Sequence, residues 1–190
     1  MHKLLTIIQK ALIAKSNKAA LAAQQNFVPG VAAKVYGVRM PVLNELAKEY
    51  KEGGFELVKE LWDAGAFEEK ILAVKVLGLV AKKDPARTLQ LVQYFAPGID
   101  NWALCDSMGM QGLKPILKTH REEIFALAKK YNCSENFWER RLSLVLVEWY
   151  TRFPELHPAI HKLIKPLEND PEYYVRKAVV WIKKNFEKGK

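Results

Sequence analysis

Cysteine is scarce in this 190-residue chain, which carries only Cys105 and Cys133. They form no CxxC pair and no histidine cluster accompanies them, which argues against a zinc site. A reducing, cytoplasmic setting is expected. Long apolar runs are missing as well: no stretch of eighteen apolar residues occurs, so no membrane span is expected. In MHKLLTIIQKALIAK, Gln9 and Lys10 interrupt the apolar stretch, while Leu4, Leu5, Ile8, Ala11 and Leu12 follow helical spacing. This is an amphipathic first helix rather than a signal peptide. Alternating Val/Ile/Thr runs between turn residues, the mark of strands, are almost absent. No GxxxxGK, GxGxxG, GxSxG or HExxH occurs, which disfavours nucleotide-dependent and common hydrolase mechanisms. His2, His120, His157 and His161 have no carboxylate or cysteine at useful spacing, so histidine-based catalysis has little support. No metal and no cofactor is expected.

What is present is helix-forming sequence and positive charge. Hydrophobic residues make up 49% of the chain, and 30 Lys and Arg against 21 Asp and Glu leave a net charge of +9. The length suits one domain, 1–190, with a core of its own. The charge suits a polyanionic partner, nucleic acid or an anionic membrane surface. Helical periods are cut at VPG (28–30), GG (53–54), DP (84–85), APG (96–98), FP (153–154) and NDP (169–171). Each break joins a helix stop to a proline or capping start, which predicts about eleven or twelve helices and an all-α fold.

The breaks recur. FEEKILAVKVL from Phe67, NFWERRLSLVL from Asn136 and PEYYVRKAVVWI from Pro171 each open with acidic or aromatic residues, then a basic residue, then an apolar stripe. Lys70, Asp106, Arg141 and Lys177 lie 36, 35 and 36 residues apart. A two-helix unit of that period predicts an α-α superhelix, a HEAT-like repeat solenoid, monomeric if its ends are polar. NDPEYYVRKAVVWIKK is similar to the second helix of a HEAT repeat, the helix that lines the concave groove.

Stacking would bring distant residues together. Trp102 lies one turn before Asp106, and Trp181 one turn after Lys177, so Trp102, Asp106, Arg141 and Trp181 are expected on one wall. Indole faces attract cations and pack on sugar C–H surfaces. A carboxylate in a partly dry site stabilises developing positive charge or orients a water, and arginine grips phosphate. On a basic groove these groups suit hydrolysis of an N-glycosidic bond through an oxocarbenium-like transition state. Trp102 as a core residue and Asp106 as a solvated helix carboxylate remain open alternatives. Of the adjacent Arg140 and Arg141, only one can face the groove, and the other is expected to be exposed or ion-paired. Trp62, Trp138 and Trp149 are expected to pack, Trp62 near the end of a helix.

Five segments in order, YGVRMPVLNELAKEY (36–50), ELWDAGAFEEKILAVKVL (60–77), IDNWALCDSM (99–108), NFWERRLSLVLV (136–147) and VRKAVVWIKK (175–184), resemble the DNA alkylation repair family, the AlkD-like glycosylases. The resemblance covers nearly the whole chain. It implies a HEAT-like superhelix cradling duplex DNA, and monofunctional excision of positively charged N3- or N7-alkylated purines without need for base flipping. By position it implies Trp102 against the deoxyribose, Asp106 as the carboxylate that stabilises the sugar cation and places the water, Arg141 on the backbone, and Trp181 as the other aromatic wall. Lys70, Lys114, Arg176 and Lys177 are the expected phosphate contacts. Longer members of the family continue past the position of Trp181 with another helical unit, whereas this chain stops at Lys190, so a shorter groove is expected at that end. The alternative is a non-catalytic helical-repeat module that binds DNA structures or serves as a protein scaffold.

Overall fold

A computed structural model describes residues 2–27 and 34–188. The break expected at 28–30 lies outside them. Eleven α-helices and no strand occur among the described residues. In chain order they are α1 (His2–Ala14), α2 (Lys18–Phe27), α3 (Met40–Tyr50), α4 (Gly54–Ala64), α5 (Phe67–Val80), α6 (Pro85–Phe95), α7 (Trp102–Ser107), α8 (Arg121–Asn132), α9 (Phe137–Val147), α10 (His157–Ile164) and α11 (Tyr173–Lys188). The protein is an all-α superhelix.

Two layers follow from the packing. Helix α3 lies on α5, α5 on α7, α7 on α9 and α9 on α11, so the odd-numbered helices from α3 to α11 stand side by side as an inner layer. Helix α4 backs α5, and α8 and α10 back α9 as an outer layer. The inner helices start at Phe67, Trp102, Phe137 and Tyr173, spacings of 35, 35 and 36 residues. Their starts are set by local chemistry. The Asn101 side chain accepts from the Leu104 N–H at 3.0 Å, and Asn136 from the Trp138 N–H at 2.9 Å. Both satisfy amides that the first helical turn leaves without a partner.

Helix α5 is the most enclosed element. Packed between α3, α4 and α7, it is apolar on nearly every side, as a helix without a solvent face must be. Its two buried acids, Glu68 and Glu69, anchor the chain that precedes α3. The Glu68 carboxylate accepts the backbone N–H groups of Tyr36 (3.0 Å), Gly37 (2.7 Å) and Val38 (3.0 Å). Glu69 accepts from the Tyr36 hydroxyl (2.9 Å), Gln9 Nε2 (2.9 Å) and the Ala66 N–H (2.8 Å). Both carboxylates also sit at the positive end of the α5 dipole. Gly37 is required here: its φ is +79°, and a Cβ would come within 2.8 Å of Leu21 Cβ.

Helix α7 is short and runs into a π turn, Met108–Gly112. Gly109 in that turn lies against α9, where a Cβ would approach Val145 Cγ1 to 2.6 Å and the Val145 carbonyl oxygen to 2.9 Å. The close approach fixes α7 on α9, and with it the relation between residues 106 and 141. Because the obstruction includes backbone, Gly109→Ala is expected to destabilise the protein by about 1–3 kcal/mol, as overpacking does. A lowered thermal midpoint by circular dichroism checks it; an unchanged midpoint would show that α7 and α9 separate freely.

Candidate functional site

The fourth and fifth residues of the inner helices face different ways. At the fourth position stand Lys70 of α5, Cys105 of α7, Arg140 of α9 and Arg176 of α11. The three basic ones bind loops. Lys70 Nζ donates to the Gly98 carbonyl at 3.0 Å, reaches Asp100 Oδ2 at 3.4 Å and lies 5.3 Å from the Trp62 ring centre. Arg140 holds Asp170 through Nε (2.7 Å) and Nη2 (3.1 Å), and its Nη1 donates to the carbonyls of Ser134 (2.9 Å) and Glu135 (3.0 Å). Arg176 Nη1 donates to the carbonyls of Asp170 (2.5 Å) and Pro171 (2.7 Å). Cys105 is buried, and burial, chiefly, pushes its thiol well above the usual range.

This corrects the expected register. Lys70 does not stand with Asp106, Arg141 and Lys177; counted from the helix starts it stands with Arg140 and Arg176. The fifth residue of α5 is Ile71, fully buried. Lys70 and the Nη1 of Arg176 are therefore occupied by protein oxygens rather than presented to a ligand. Arg140 is the ion-paired member of the arginine pair. Lys114 lies elsewhere, in a hollow with Asn44 and Gln111.

In α7, α9 and α11 the fifth position faces a cleft. Asp106, Arg141 and Lys177 line a cavity of about 320 Å³ together with Trp102, Tyr174 and Trp181. The structure thus brings together Trp102, Asp106, Arg141 and Trp181, with Lys177 at the same wall. Arg141 clamps the carboxylate: Nε donates to Asp106 Oδ1 at 3.0 Å and Nη2 to Oδ2 at 2.9 Å. Its Nη1 donates to the Tyr174 carbonyl at 2.6 Å, which joins α7, α9 and α11 through one guanidinium. Three of the five guanidinium N–H groups are thereby committed. Side-chain exposure is 6% for Arg141 and 22% for Asp106, so the carboxylate reaches the cavity and the arginine stands behind it. Burial pushes the Asp106 carboxyl above the usual aspartate value, against the bonds and charge of Arg141 and the charge of Lys177. Asp106 is not a freely solvated helix carboxylate. Trp102 and Trp181 are half-buried, each with one part packed on the core and another on the cavity. Trp62 and Trp138 pack as expected, Trp62 stacked on Phe95 at 4.2 Å. Trp149, partly buried, packs on Tyr150 and Phe153.

Two residues escape the sequence reading. Tyr174 forms part of the wall and packs on Trp138 at 5.1 Å. The spacing of Tyr174, Lys177 and Trp181, three and then four residues, carried the signal, since it places all three on one helix face. Glu148, two turns beyond Arg141, is half-buried and accepts from Asn185 Nδ2 at 2.8 Å. Burial raises its carboxyl, Arg152 opposes the rise, and the negative charge of Asp106 adds to it. Nothing local in the sequence marks it. On the far side of Trp102 a second hollow of about 580 Å³ is walled by Ala19, Ala23, Met40, Pro41 and Phe67. Among the described residues there is no group of three or more His, Cys, Asp or Glu able to hold a metal ion, and no helix long and apolar enough to cross a membrane.

Fold and cleft together define a helical superhelix that presents one arginine-clamped carboxylate in a cavity it shares with two indoles. The chain belongs to the DNA alkylation repair enzyme family, whose model matches residues 8–188. Membership gives it a role in DNA repair, as an enzyme. Among solved structures it is similar to one described as a "Predicted DNA alkylation repair enzyme from Enterococcus faecalis", with a TM-score of 0.78 and 15% identity over 92% of this chain and 84% of that one. At that identity the likeness shows the fold. No curated protein matches the chain.

The Arg140–Asp170 pair yields a prediction for the clamp that holds α11. Burial raises the Asp170 carboxyl, but the bonds from Arg140 and the Glu172 N–H and the charges of Arg140 and Arg176 outweigh it, so its value is depressed overall. A depressed aspartate stabilises the fold above its unfolded value of about 3.9, and that stabilisation is lost as the pH falls through the folded value. Asp170→Asn is expected to cost about 1–3 kcal/mol at neutral pH. The gap from the parent should close in acid as the pH drops below about 4. Urea unfolding of both proteins at neutral and acid pH checks this; a gap that widens in acid would be contrary.

Proposed function

We propose that the protein is a monofunctional DNA glycosylase that hydrolyses the N-glycosidic bond of positively charged N3- or N7-alkylated purines in duplex DNA, without need for base flipping. The observation that carries this reading is the Asp106 carboxylate, clamped by Arg141 and held at the cavity wall with Trp102 and Trp181. An alkylated purine already bears its positive charge. When the bond from C1′ to the ring nitrogen breaks, the electron pair neutralises the base, which leaves without a proton. No general acid is then required, and one carboxylate suffices.

The remaining demand is electrostatic. As C1′ becomes cationic, the Asp106 carboxylate stabilises it and orients a water, whose oxygen adds to C1′ while its proton passes to Asp106 or to solvent. Arg141, behind the carboxylate and already bonded three ways, serves as a positioning residue more than as the phosphate grip first expected. Lys177, exposed at the cavity, is the nearer candidate for the phosphate flanking the lesion. The indoles supply apolar faces for the sugar. On this reading 1–190 acts as a single HEAT-like domain, a monomer on duplex DNA. It uses no cofactor and works in the cytoplasm, where its two free cysteines remain reduced.

Two substitutions test it. Asp106→Asn is expected to slow release of 7-methylguanine from methylated duplex DNA by at least about 100-fold, with duplex binding retained. Base release at the parental rate, followed by mass spectrometry, would refute the role of Asp106. Activity should need the ionised carboxylate, so it should fall as the pH drops through a value above that of a free aspartate. Arg141→Gln removes the contributions that pull this value down, and the acid limb of the rate profile should move to higher pH. A limb that stays in place or moves down would separate Asp106 from the rate.

A further inference from the structure

We propose that a third hollow, between α3, α5 and the π turn, binds a phosphate group, and that the backbone of duplex DNA supplies it; the second half rests on the reading above. The hollow measures about 390 Å³, and its walls carry Lys48, Lys75 and Lys114 with no Asp or Glu. Lys48 and Lys114 are exposed. Lys75 is the buried one of the three. It is 9% exposed, and its ammonium donates to Asn44 Oδ1 at 2.7 Å and Gln111 Oε1 at 2.8 Å, both neutral acceptors. None of the three lysines forms an ion pair among the described residues.

A buried ammonium without a counter-charge is costly, and the usual solutions are a carboxylate or loss of the proton. Here burial lowers the Lys75 value from that of an ordinary lysine, and no carboxylate offsets it. The two amides turn their oxygens to Lys75, which leaves their NH2 groups as further donors. Three ammonium groups and two amide NH2 groups around one hollow form a donor set for a tetrahedral oxyanion. The packing is built for this reach: a Cβ on Gly78 would come within 2.6 Å of the Gln111 carbonyl oxygen, so bare glycine lets the π turn close on α5. Orientation assigns the source. On α3, Pro41, Asn44 and Lys48 follow helical spacing on one face. Pro41 lines the hollow that Trp102 borders, and Asn44 and Lys48 line this one. The phosphate site therefore shares the inner face with the cleft.

The test uses the full chain. Lysine acetylation is mapped by mass spectrometry with no addition, with inorganic pyrophosphate, and with an undamaged duplex oligonucleotide. In parallel, the salt dependence of duplex binding is compared for the parent, Lys48→Ala/Lys114→Ala and Lys75→Gln; the double variant changes exposed residues only. The expected result is protection of Lys48, Lys75 and Lys114 by both anions. The slope of log K against log salt should become shallower by about 0.9 in the double variant, the loss of one phosphate contact. Protection by pyrophosphate from a protein that binds no duplex would keep the phosphate site and refute both DNA as its source and the function above. Duplex binding with all three lysines unprotected and the slope unaltered would overturn the site and leave the proposed function standing.

Discussion

The Arg141 guanidinium is the point on which the cleft depends. One planar group holds both oxygens of Asp106 on α7 and the Tyr174 carbonyl on α11, while itself belonging to α9. Three helices from three successive repeats are thereby fixed around one carboxylate. A flexible lysine in that place would supply charge without the fork geometry, and α7 and α11 would be tied only through packing. The arrangement also carries a cost. Two partly dry charges must be bonded well to be tolerated, and three of the five N–H donors of Arg141 are committed as a result. The same bonds that aim the carboxylate keep the arginine from doing much else.

A rule of position runs through the inner layer. The fourth residue of α5, α9 and α11 binds the loops at the repeat junctions, and the fifth of α7, α9 and α11 lines the cleft. A rotation of about 100° per residue separates the two directions. Arg140 and Arg141 are adjacent and chemically identical, yet one closes a loop through Asp170 and the other aims Asp106. The rule also explains why α7 differs. Its fourth residue is Cys105, sealed in the core, and its loop is held instead from α5 by Lys70, which reaches Gly98 and Asp100.

Buried charge in this protein concentrates where helices must be aimed rather than merely packed. Glu68 and Glu69 collect backbone and side-chain donors at the start of α5. Asp170 and Arg140 secure the start of α11. Each of these buried acids accepts from several donors. Lys75 is the buried lysine, and its partners are the neutral oxygens of Asn44 and Gln111. Close glycine contacts at Gly78 and Gly109 let the π turn approach α5 and α9.

Much of this was legible in the sequence. Helical periods, proline and glycine breaks and the 35-residue recurrence were enough for an all-α superhelix, because helix starts and stops are local chemistry. The gathering of Trp102, Asp106, Arg141 and Trp181 was legible for a related reason: a repeat of fixed length turns equal phase into equal direction. The phase of Lys70 was misread because charge alone cannot distinguish neighbouring positions on a helix; only the start at Phe67 fixes the count. The tertiary structure alone decided that Arg141 spends its donors on Asp106 and Tyr174, that Tyr174 belongs to the wall, and that Lys75 lies buried among amides from two other elements. Each of those facts is a distance between residues more than thirty apart in the chain, and burial depends on which layers close over a side chain, a quantity no local pattern encodes.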